Sequence, residues 1–221
     1  MNNKEKQFVV IGLGRFGTSI AKTLAESGCE VLVIDRNEEA VQDASEYVTH
    51  AVQADVTDID VLKSLGIRNF DVGVVAIGTD MQSSIMTTLL LKELGVGYVL
   101  AKAQNEIHKK VLEKIGADRI VLPEREMGVR IATNLISGNI LDYIELSSSH
   151  SIVEIKALKE WIGRNLRDIN MRAKYGINVI AIKSNKKINV SPRADDVIKE
   201  EDVLVVIGGN TDIQRLENSK K

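Results

Sequence analysis

Residues 8–17 read Phe-Val-Val-Ile-Gly-Leu-Gly-Arg-Phe-Gly, and this stretch decides the fold. Its first four residues are apolar, which is typical of a buried strand. The glycines at positions 12, 14 and 17 have the Gly-x-Gly-x-x-Gly spacing of a dinucleotide-binding loop. We expect Gly12 to form the tight turn, Gly14 to let phosphates approach the main chain, and Gly17 to let helix and strand pack closely.

The acidic residue that completes this fingerprint is also present. Asp35 ends the apolar run 31–34, at roughly the 20-residue spacing expected after the glycine loop. Its carboxylate can accept hydrogen bonds from both hydroxyls of a ribose. Asp35 would also repel a 2′-phosphate, although the neighbouring Arg36 weakens that objection, so NADP is disfavoured and not excluded.

Apolar runs alternate with helical patterns along the first half of the chain. The predicted strands lie at residues 8–11, 31–34, 50–53, 72–77, 98–101 and 119–122. Each is followed by a predicted helix, and apolar runs of this kind are typical of parallel strands buried on both faces. The pattern predicts an α/β fold with a Rossmann-like, doubly wound parallel sheet.

The pattern changes after Pro123. We predict a nucleotide-binding domain over residues 1–136 and a helical crossover and linker over residues 137–150, with a short apolar helix at 140–144 and a polar linker at 147–150. Residues 151–221 predict a small α+β domain. Its elements are a strand at 152–157, a helix at 165–175 ended by Gly176, a hairpin from 177–182 to 187–190, a strand at 203–207 and a helix at 212–217.

Composition limits the classes of function. The 221 residues carry a net charge of −2 with both signs mixed, so no footprint for a nucleic acid polymer is evident. The single cysteine, Cys29, rules out an intrachain disulfide and fits a reducing cytosol. No apolar run reaches the ~18 residues of a membrane-spanning helix, so we expect a cytoplasmic protein without direct membrane insertion.

Other candidate residues follow the predicted strands, at the sheet edge where ligands bind in such folds. Asp55 could face the adenine or cap the helix beginning near Asp58, and capping is the commoner use. Gly78 and Lys102 occupy the same edge, where Lys102 could balance phosphate charge or be an ordinary solvated lysine. Arg15 could reach a phosphate of its own site or of a facing subunit, or be a solvated surface residue.

The histidines and the cysteine predict no catalytic or metal site. His50, His108 and His150 have no partner at metal-site or triad spacing. We expect His108, which precedes two lysines, to lie on a solvated helix face. We expect Cys29 to be a small buried residue and not a nucleophile.

Nearly the whole chain resembles the regulatory subunits of Ktr/Trk-type potassium uptake systems, which are built from RCK domains. It is most similar to the Gram-positive KtrA/KtrC type. Beyond the glycine loop, the segments that carry the resemblance are 76–78, 89–95, 101–105, 112–118, 123–128, 166–179, 191–192 and Asp202. The pair Glu201-Asp202 departs from the Gly-Asp that related C-terminal domains commonly have there, which leaves the local turn geometry open.

The resemblance implies a regulator and not an enzyme. It implies homodimers that assemble into a homo-octameric ring on a membrane potassium-translocating subunit, at the inner face of the membrane, with ATP and ADP favouring different ring shapes. It also implies that Arg15 contacts the terminal phosphates, that Asp35 and Asn37 hold the ribose, and that Glu124 helps to bind a divalent cation, Mg or Ca, at the dimer interface.

Two sets of binding residues result from the sheet edge and the resemblance together. The expected ATP/ADP site, which NAD(H) could also use, comprises Gly12, Gly14, Arg15, Phe16, Gly17, Asp35, Arg36, Asn37, Asp55, Val56, Ile77, Gly78 and Lys102. The expected cyclic di-AMP site in the C-terminal domain comprises Leu166, Arg172, Ile177, Asn178 and Pro192.

Two other classes of protein stay open at this point. An NAD-dependent oxidoreductase would use the same glycine loop and the same Asp35, but the small second domain offers no obvious catalytic group. A redox-sensing transcription factor would normally have a helix-turn-helix or a basic face, and neither is evident in the sequence.

Overall fold

The computed structural model describes residues 6–136, 140–147, 149–185 and 187–218. The chain forms two compact units, with the division between Pro123 and Glu124. Each unit has its own sheet and its own core.

The first unit contains a six-stranded parallel sheet of order β3-β2-β1-β4-β5-β6. Its strands are β1 (Gln7–Ile11), β2 (Glu30–Asp35), β3 (His50–Gln53), β4 (Val72–Val75), β5 (Tyr98–Lys102) and β6 (Arg119–Val121). Its helices are α1 (Arg15–Glu26), α2 (Glu38–Ser45), α3 (Ile59–Ser64), α4 (Met81–Glu93) and α5 (Glu106–Lys114), with a 3₁₀ turn at Ile67–Asn69. The strand order reverses between β1 and β4, which is the arrangement of a Rossmann-type sheet. The predicted Rossmann-like α/β fold is confirmed.

Alternate residues of the central strands enter two different cores. In β1, Val9 and Ile11 belong to a cluster with Leu91 of α4, whereas Val10 belongs to a cluster with Ala21 of α1. Successive side chains of a strand point to opposite faces, so the sheet is covered on both faces by apolar residues. This explains why its strands are continuous apolar runs in the sequence.

The second unit contains a five-stranded antiparallel sheet of order β10-β9-β11-β8-β7. Its strands are β7 (Ile140–Ser147), β8 (His150–Lys156), β9 (Ile177–Ser184), β10 (Lys187–Asn189) and β11 (Val203–Gly209). Its helices are α6 (Pro123–Ile136), α7 (Leu166–Ile169), α8 (Met171–Tyr175) and α9 (Asn210–Asn218). The core includes fully buried Trp161, whose ring meets that of Tyr175 edge-on with centroids 5.4 Å apart. The predicted α+β character of this part of the chain is confirmed.

One prediction about the crossover region is wrong. Residues 140–144 are part of strand β7 and not a short apolar helix, because pairing with β8 provides main-chain partners that an isolated five-residue helix lacks. Ser147 pairs with His150, so β7 and β8 are neighbours in one sheet. The domain boundaries as a whole stay a prediction.

The helix predicted over residues 165–175 is interrupted. Asn170 has a φ of 54° and separates α7 from α8, because this left-handed conformation does not continue an α-helix. Gly176, with a φ of 69°, ends α8 as the sequence predicted.

Candidate nucleotide-binding site

The glycine loop connects β1 to α1, and each glycine has a distinct steric setting. Gly12 has a φ of 95°, and a Cβ there would lie 3.0 Å from the main chain of Ala76 and Ile77. A Cβ on Gly17 would overlap the carbonyl oxygen of Gly12. A Cβ on Gly14 would meet nothing within 4 Å. The first and third glycines therefore serve the packing of the loop, whereas the second leaves open space.

This open space lies at the start of α1. Gly14 is the N-cap residue of α1, and no side chain caps the helix. The first N–H groups of a helix have no partner within the helix, and they favour an anion. The exposed Arg15 makes no hydrogen bond or ion pair with the described part of the chain. The loop thus combines main-chain donors, an open approach and an available guanidinium.

Asp35, at the end of β2, accepts hydrogen bonds from both the glycine loop and the start of α2. One carboxylate oxygen accepts a hydrogen bond from the main-chain N–H of Leu13 at 2.5 Å, and the other accepts one from Asn37 N–H at 2.8 Å. Each carboxylate oxygen can accept more than one hydrogen bond, so Asp35 can still receive ribose hydroxyls. Asn37 caps α2 through its side-chain oxygen, which leaves its NH₂ group as the part available to a ligand.

Arg36 lies in a cluster with three polar residues of neighbouring segments. Its guanidinium is 2.9 Å from Asp55 after β3, 3.9 Å from Asp80 and 3.4 Å from Ser83 Oγ, both of which lie at the start of α4. Asp80 and Ser83 were not predicted as site residues. An Asp-x-x-Ser capping pattern directly after β4 was the available signal, because it lies at the same sheet edge as Asp55.

Hydrogen bonds lower the pKa of both carboxyl groups in this cluster, Asp55 and Asp80. Hydrogen bonds from the hydroxyl and the N–H of Thr57, and then the Arg36 guanidinium, lower the pKa of Asp55 to about 2. Hydrogen bonds from Ser83 lower the pKa of Asp80. The same contacts contradict the expectation that Asp55 caps α3, because Asp58 accepts the hydrogen bond from Asp60 N–H and is the N-cap.

Lys102, Gly78 and Phe16 lie close together beside the glycine loop. A Cβ on Gly78 would lie 3.6 Å from Lys102 Nζ, and this nitrogen is 5.9 Å from the centroid of the Phe16 ring. Lys102 is half-buried and not simply solvated. The structure thus brings a cation to the sheet edge near the loop, and a role of Lys102 in balancing phosphate charge stays a prediction.

Two other predicted site residues at this sheet edge differ in how much of their side chain is exposed. Val56 is buried, so it could contact a ligand mainly through its main chain, whereas Ile77 is half-buried beside Gly12. Neither observation tests ligand contact, and both residues stay predictions.

The prediction that His108 lies on a solvated face is wrong. Its side chain is fully buried, and Nδ1 accepts a hydrogen bond from the Gln104 main-chain N–H at 3.2 Å. Burial lowers the pKa of this imidazole, which favours the neutral form that the hydrogen bond requires. Cys29 is partly buried against the core of the first unit, in keeping with a structural role.

Glu124, the expected cation ligand, lies in the first turn of α6 and belongs to the second unit. In the described residues, no group of three or more His, Cys, Asp or Glu side chains could hold a metal ion. A Mg²⁺ ion needs few protein ligands when phosphates supply others. The donor set therefore fits a cation bound together with a nucleotide better than a cation held by protein alone.

The expected effector residues of the second unit lie on α7, α8, β9 and the loop after β10. Leu166 and Arg167 donate main-chain hydrogen bonds to Asp196 and Ala194, which brings α7 beside the loop that contains Pro192. Arg172 is exposed on α8 and lines a cavity of ≈ 380 Å³. The remaining two residues differ, because Asn178 is exposed whereas Ile177 is fully buried.

Together, the fold and the glycine loop define a Rossmann-type domain followed by a small antiparallel domain. The family models match in the same order, as the TrkA-N domain at residues 8–123 and the TrkA-C domain at residues 150–221. The Ktr system potassium uptake proteins C and A of Bacillus subtilis are 56% and 53% identical to this chain, over 96% and 97% of both lengths, respectively. The chain belongs to the family of Ktr system potassium uptake proteins.

A solved structure, the GsuK RCK domain, has the same fold. It aligns with a TM-score of 0.69 at 17% identity and covers 99% of this chain and 48% of its own.

Proposed function

We propose that this chain is a non-enzymatic regulatory subunit of a Ktr-type potassium uptake system, controlled by ATP and ADP bound at the glycine loop. The observation that carries the proposal is the open space at Gly14, at the uncapped start of α1 and beside Asp35 and the available Arg15. This arrangement can bind phosphates and a ribose. The identity to Ktr proteins supports the role in potassium uptake.

ATP and ADP can control transport only if they bind two conformations of the assembly with different affinity. A ligand of equal affinity for both conformations shifts no population. ATP has one more phosphate and more negative charge than ADP, and Arg15 is the side chain placed to respond to that difference. We propose that homodimers assemble into a homo-octameric ring, which passes the response to a membrane potassium-translocating subunit.

A divalent cation, Mg or Ca, is proposed to bind beside the terminal phosphates with Glu124 as a ligand. Such an ion usually takes one or two carboxylates together with phosphate oxygens and water. The proposal therefore needs no all-protein metal site.

The second unit is proposed to bind cyclic di-AMP as a separate effector. Arg172 supports this because it is exposed and makes no hydrogen bond or ion pair within the described residues. A free guanidinium of this kind suits a phosphodiester.

No helix in the described ranges is both long and apolar enough to cross a lipid bilayer. We propose that the protein is cytoplasmic and reaches the inner face of the membrane through its partner subunit.

An NAD-dependent oxidoreductase is the alternative, because NAD fits the same loop and the same Asp35. Absorbance at the nicotinamide wavelength would distinguish the two, since turnover with any candidate substrate would favour the enzyme.

The experiment compares Arg15→Ala with Lys22→Ala, a matched loss of one positive charge from an exposed position on the same helix. Calorimetric titration with ATP, ADP and AMP measures each affinity. We expect Arg15→Ala to weaken ATP binding about 10- to 100-fold, because a charge-assisted hydrogen bond contributes roughly 1.5–3 kcal/mol, and to weaken AMP binding far less. Lys22→Ala should bind all three like the wild type. An equal loss for all three nucleotides in Arg15→Ala would contradict the role of Arg15.

A further inference from the structure

Arg36 spans the crevice at the carboxyl edge of the first sheet. It follows directly after Asp35 of β2, and its guanidinium reaches Asp55 on the β3 side and Asp80 with Ser83 on the β4 side. Its main-chain carbonyl also accepts a hydrogen bond from the Gln53 side chain at 3.0 Å. Both ends of the residue are therefore engaged by neighbouring segments.

The carboxylates on either side of Arg36 do not depend on it for their positions. Asp55 Oδ1 accepts hydrogen bonds from Thr57 N–H at 2.9 Å and from Thr57 Oγ1 at 2.6 Å. Asp80 caps α4, accepting from Ser83 N–H at 3.0 Å and from Ser83 Oγ at 2.5 Å. The negative charges are thus fixed by local turns, and the long side chain of Arg36 is the adjustable member of the cluster.

These acids keep their charge at neutral pH. The pKa of Asp55 is lowered to about 2 and that of Asp80 is also lowered, by hydrogen bonds to Thr57 and Ser83 respectively. The guanidinium is always protonated. With Asp35, the cluster combines three carboxylates with one cation.

The position of Arg36 is the one from which an arginine accommodates the 2′-phosphate of NADP in related folds. An arginine free to turn toward the ribose would make that contact through two parallel N–H groups. Here the guanidinium donates a hydrogen bond to Asp55 at 2.9 Å and lies 3.9 Å from Asp80, so two negative charges already lie beside it.

We infer that Asp55 and Asp80 are specificity-determining residues, which hold Arg36 away from the ribose and so exclude adenine nucleotides that carry a 2′-phosphate. The inference rests on the proposed function, namely that an adenine nucleotide binds with its ribose at Asp35. It adds that two carboxylates from the β3 and β4 loops, and not Asp35 alone, set the discrimination. The ligands that this site would select are adenine nucleotides with a free 2′-hydroxyl group on the ribose.

The test uses the full chain and two ligands that differ in one group. These are ADP and 2′-phospho-ADP, which is ADP esterified with phosphate at the ribose 2′ oxygen. The measured quantity is the ratio of the Kd of 2′-phospho-ADP to that of ADP, in which any loss common to both ligands cancels. In the variant Asp55→Asn/Asp80→Asn, each amide keeps an oxygen that can accept the Thr57 or Ser83 N–H, so the turns are preserved.

We expect the wild type to prefer ADP and the double variant to lower the ratio at least about tenfold, because two repelling charges are removed and Arg36 loses the charges that attract it. Adding Arg36→Gln to the double variant should return the Kd ratio most of the way to the wild-type value. The control Asp60→Asn removes the same charge from an exposed position on α3 and should leave the ratio unchanged. The single variant Asp80→Asn should give a smaller shift in the same direction, and it provides the test if the double variant does not fold.

Three failures can be told apart. If the wild type binds ADP and the ratio is unchanged in the double and single variants, the inference is overturned and the proposed function stands. If the gain persists without Arg36, the role of the arginine is overturned. If the wild type does not bind ADP, the proposed function itself fails and the inference fails with it.

Discussion

The predicted ligand sites of the two units differ in what they are made of. In the first unit, the glycine loop consists largely of main chain, and its conformation is fixed by Gly12 and Gly17 against their neighbours. In the second unit, the predicted site consists of side chains on short segments, of which Arg172 is exposed and Ile177 is buried. The shape of the glycine loop is therefore set by contacts within the first unit, whereas the predicted site of the second unit depends on the positions of separate side chains.

The largest expected effects on stability and on nucleotide binding come from substituting the glycines of the loop. Gly17→Ala should destabilise the first unit by ~3 kcal/mol or more, because its Cβ would overlap the Gly12 carbonyl oxygen and helix α1 would have to move. Gly14→Ala should destabilise the unit by about 1 kcal/mol or less, since Ala is a poor N-cap but meets no atom within 4 Å. Gly14→Ala should nevertheless weaken ADP binding at least about tenfold, because the methyl group occupies the phosphate approach.

Thermal unfolding with and without ADP, together with calorimetric titration, measures both effects in each glycine variant. Wild-type ADP affinity in Gly14→Ala would mean that phosphates do not approach the main chain at this loop.

An intermediate effect is expected in the second unit. Arg172→Ala should weaken cyclic di-AMP binding about 10- to 100-fold, the range for loss of one charge-assisted hydrogen bond, and leave ADP affinity unchanged. Lys159→Ala, which removes a positive charge from another exposed position of the same unit, serves as the control. Calorimetry on the full chain measures both ligands. Cyclic di-AMP affinity that is equal in all three proteins would remove Arg172 from the proposed site.

The smallest effect concerns the pH dependence of the first unit. Burial lowers the pKa of His108 in the folded chain, so the unfolded chain binds the proton more readily. The contribution of His108 to stability is therefore complete above the unfolded pKa of ~6.5 and is lost as the pH falls toward the folded value. It changes by at most about 1.4 kcal/mol per pH unit.

His108→Gln should reduce the loss of stability between pH 6.5 and pH 5, whereas His50→Gln, at an exposed position, should not. The measurement is the midpoint temperature of thermal unfolding from pH 7.5 to pH 5. The transition of the first unit is the one whose midpoint changes when ADP is added. Parallel profiles for the wild type and His108→Gln would contradict the assignment.

Much of the fold could be predicted from the sequence because its determinants are local. The strands of the first sheet are apolar runs since both faces are covered, and the loop needs glycines at fixed positions. The errors arose where distant contacts decide the outcome. Strand β7 forms because β8 is beside it, and His108 is buried beside two lysines because its ring turns inward to Gln104. Asp80 and Ser83 joined the candidate site through contacts with Arg36, and their capping pattern after β4 was the sequence signal that was missed.

The most direct test of the proposed regulatory function is a calorimetric titration of the wild-type chain with ATP, ADP, NADH and cyclic di-AMP, alone and in competition. The account predicts that ATP and ADP bind tightly and displace each other, and that cyclic di-AMP binds at a second site without displacing them. Tight binding of NADH with weak binding of ATP would contradict it and favour the oxidoreductase.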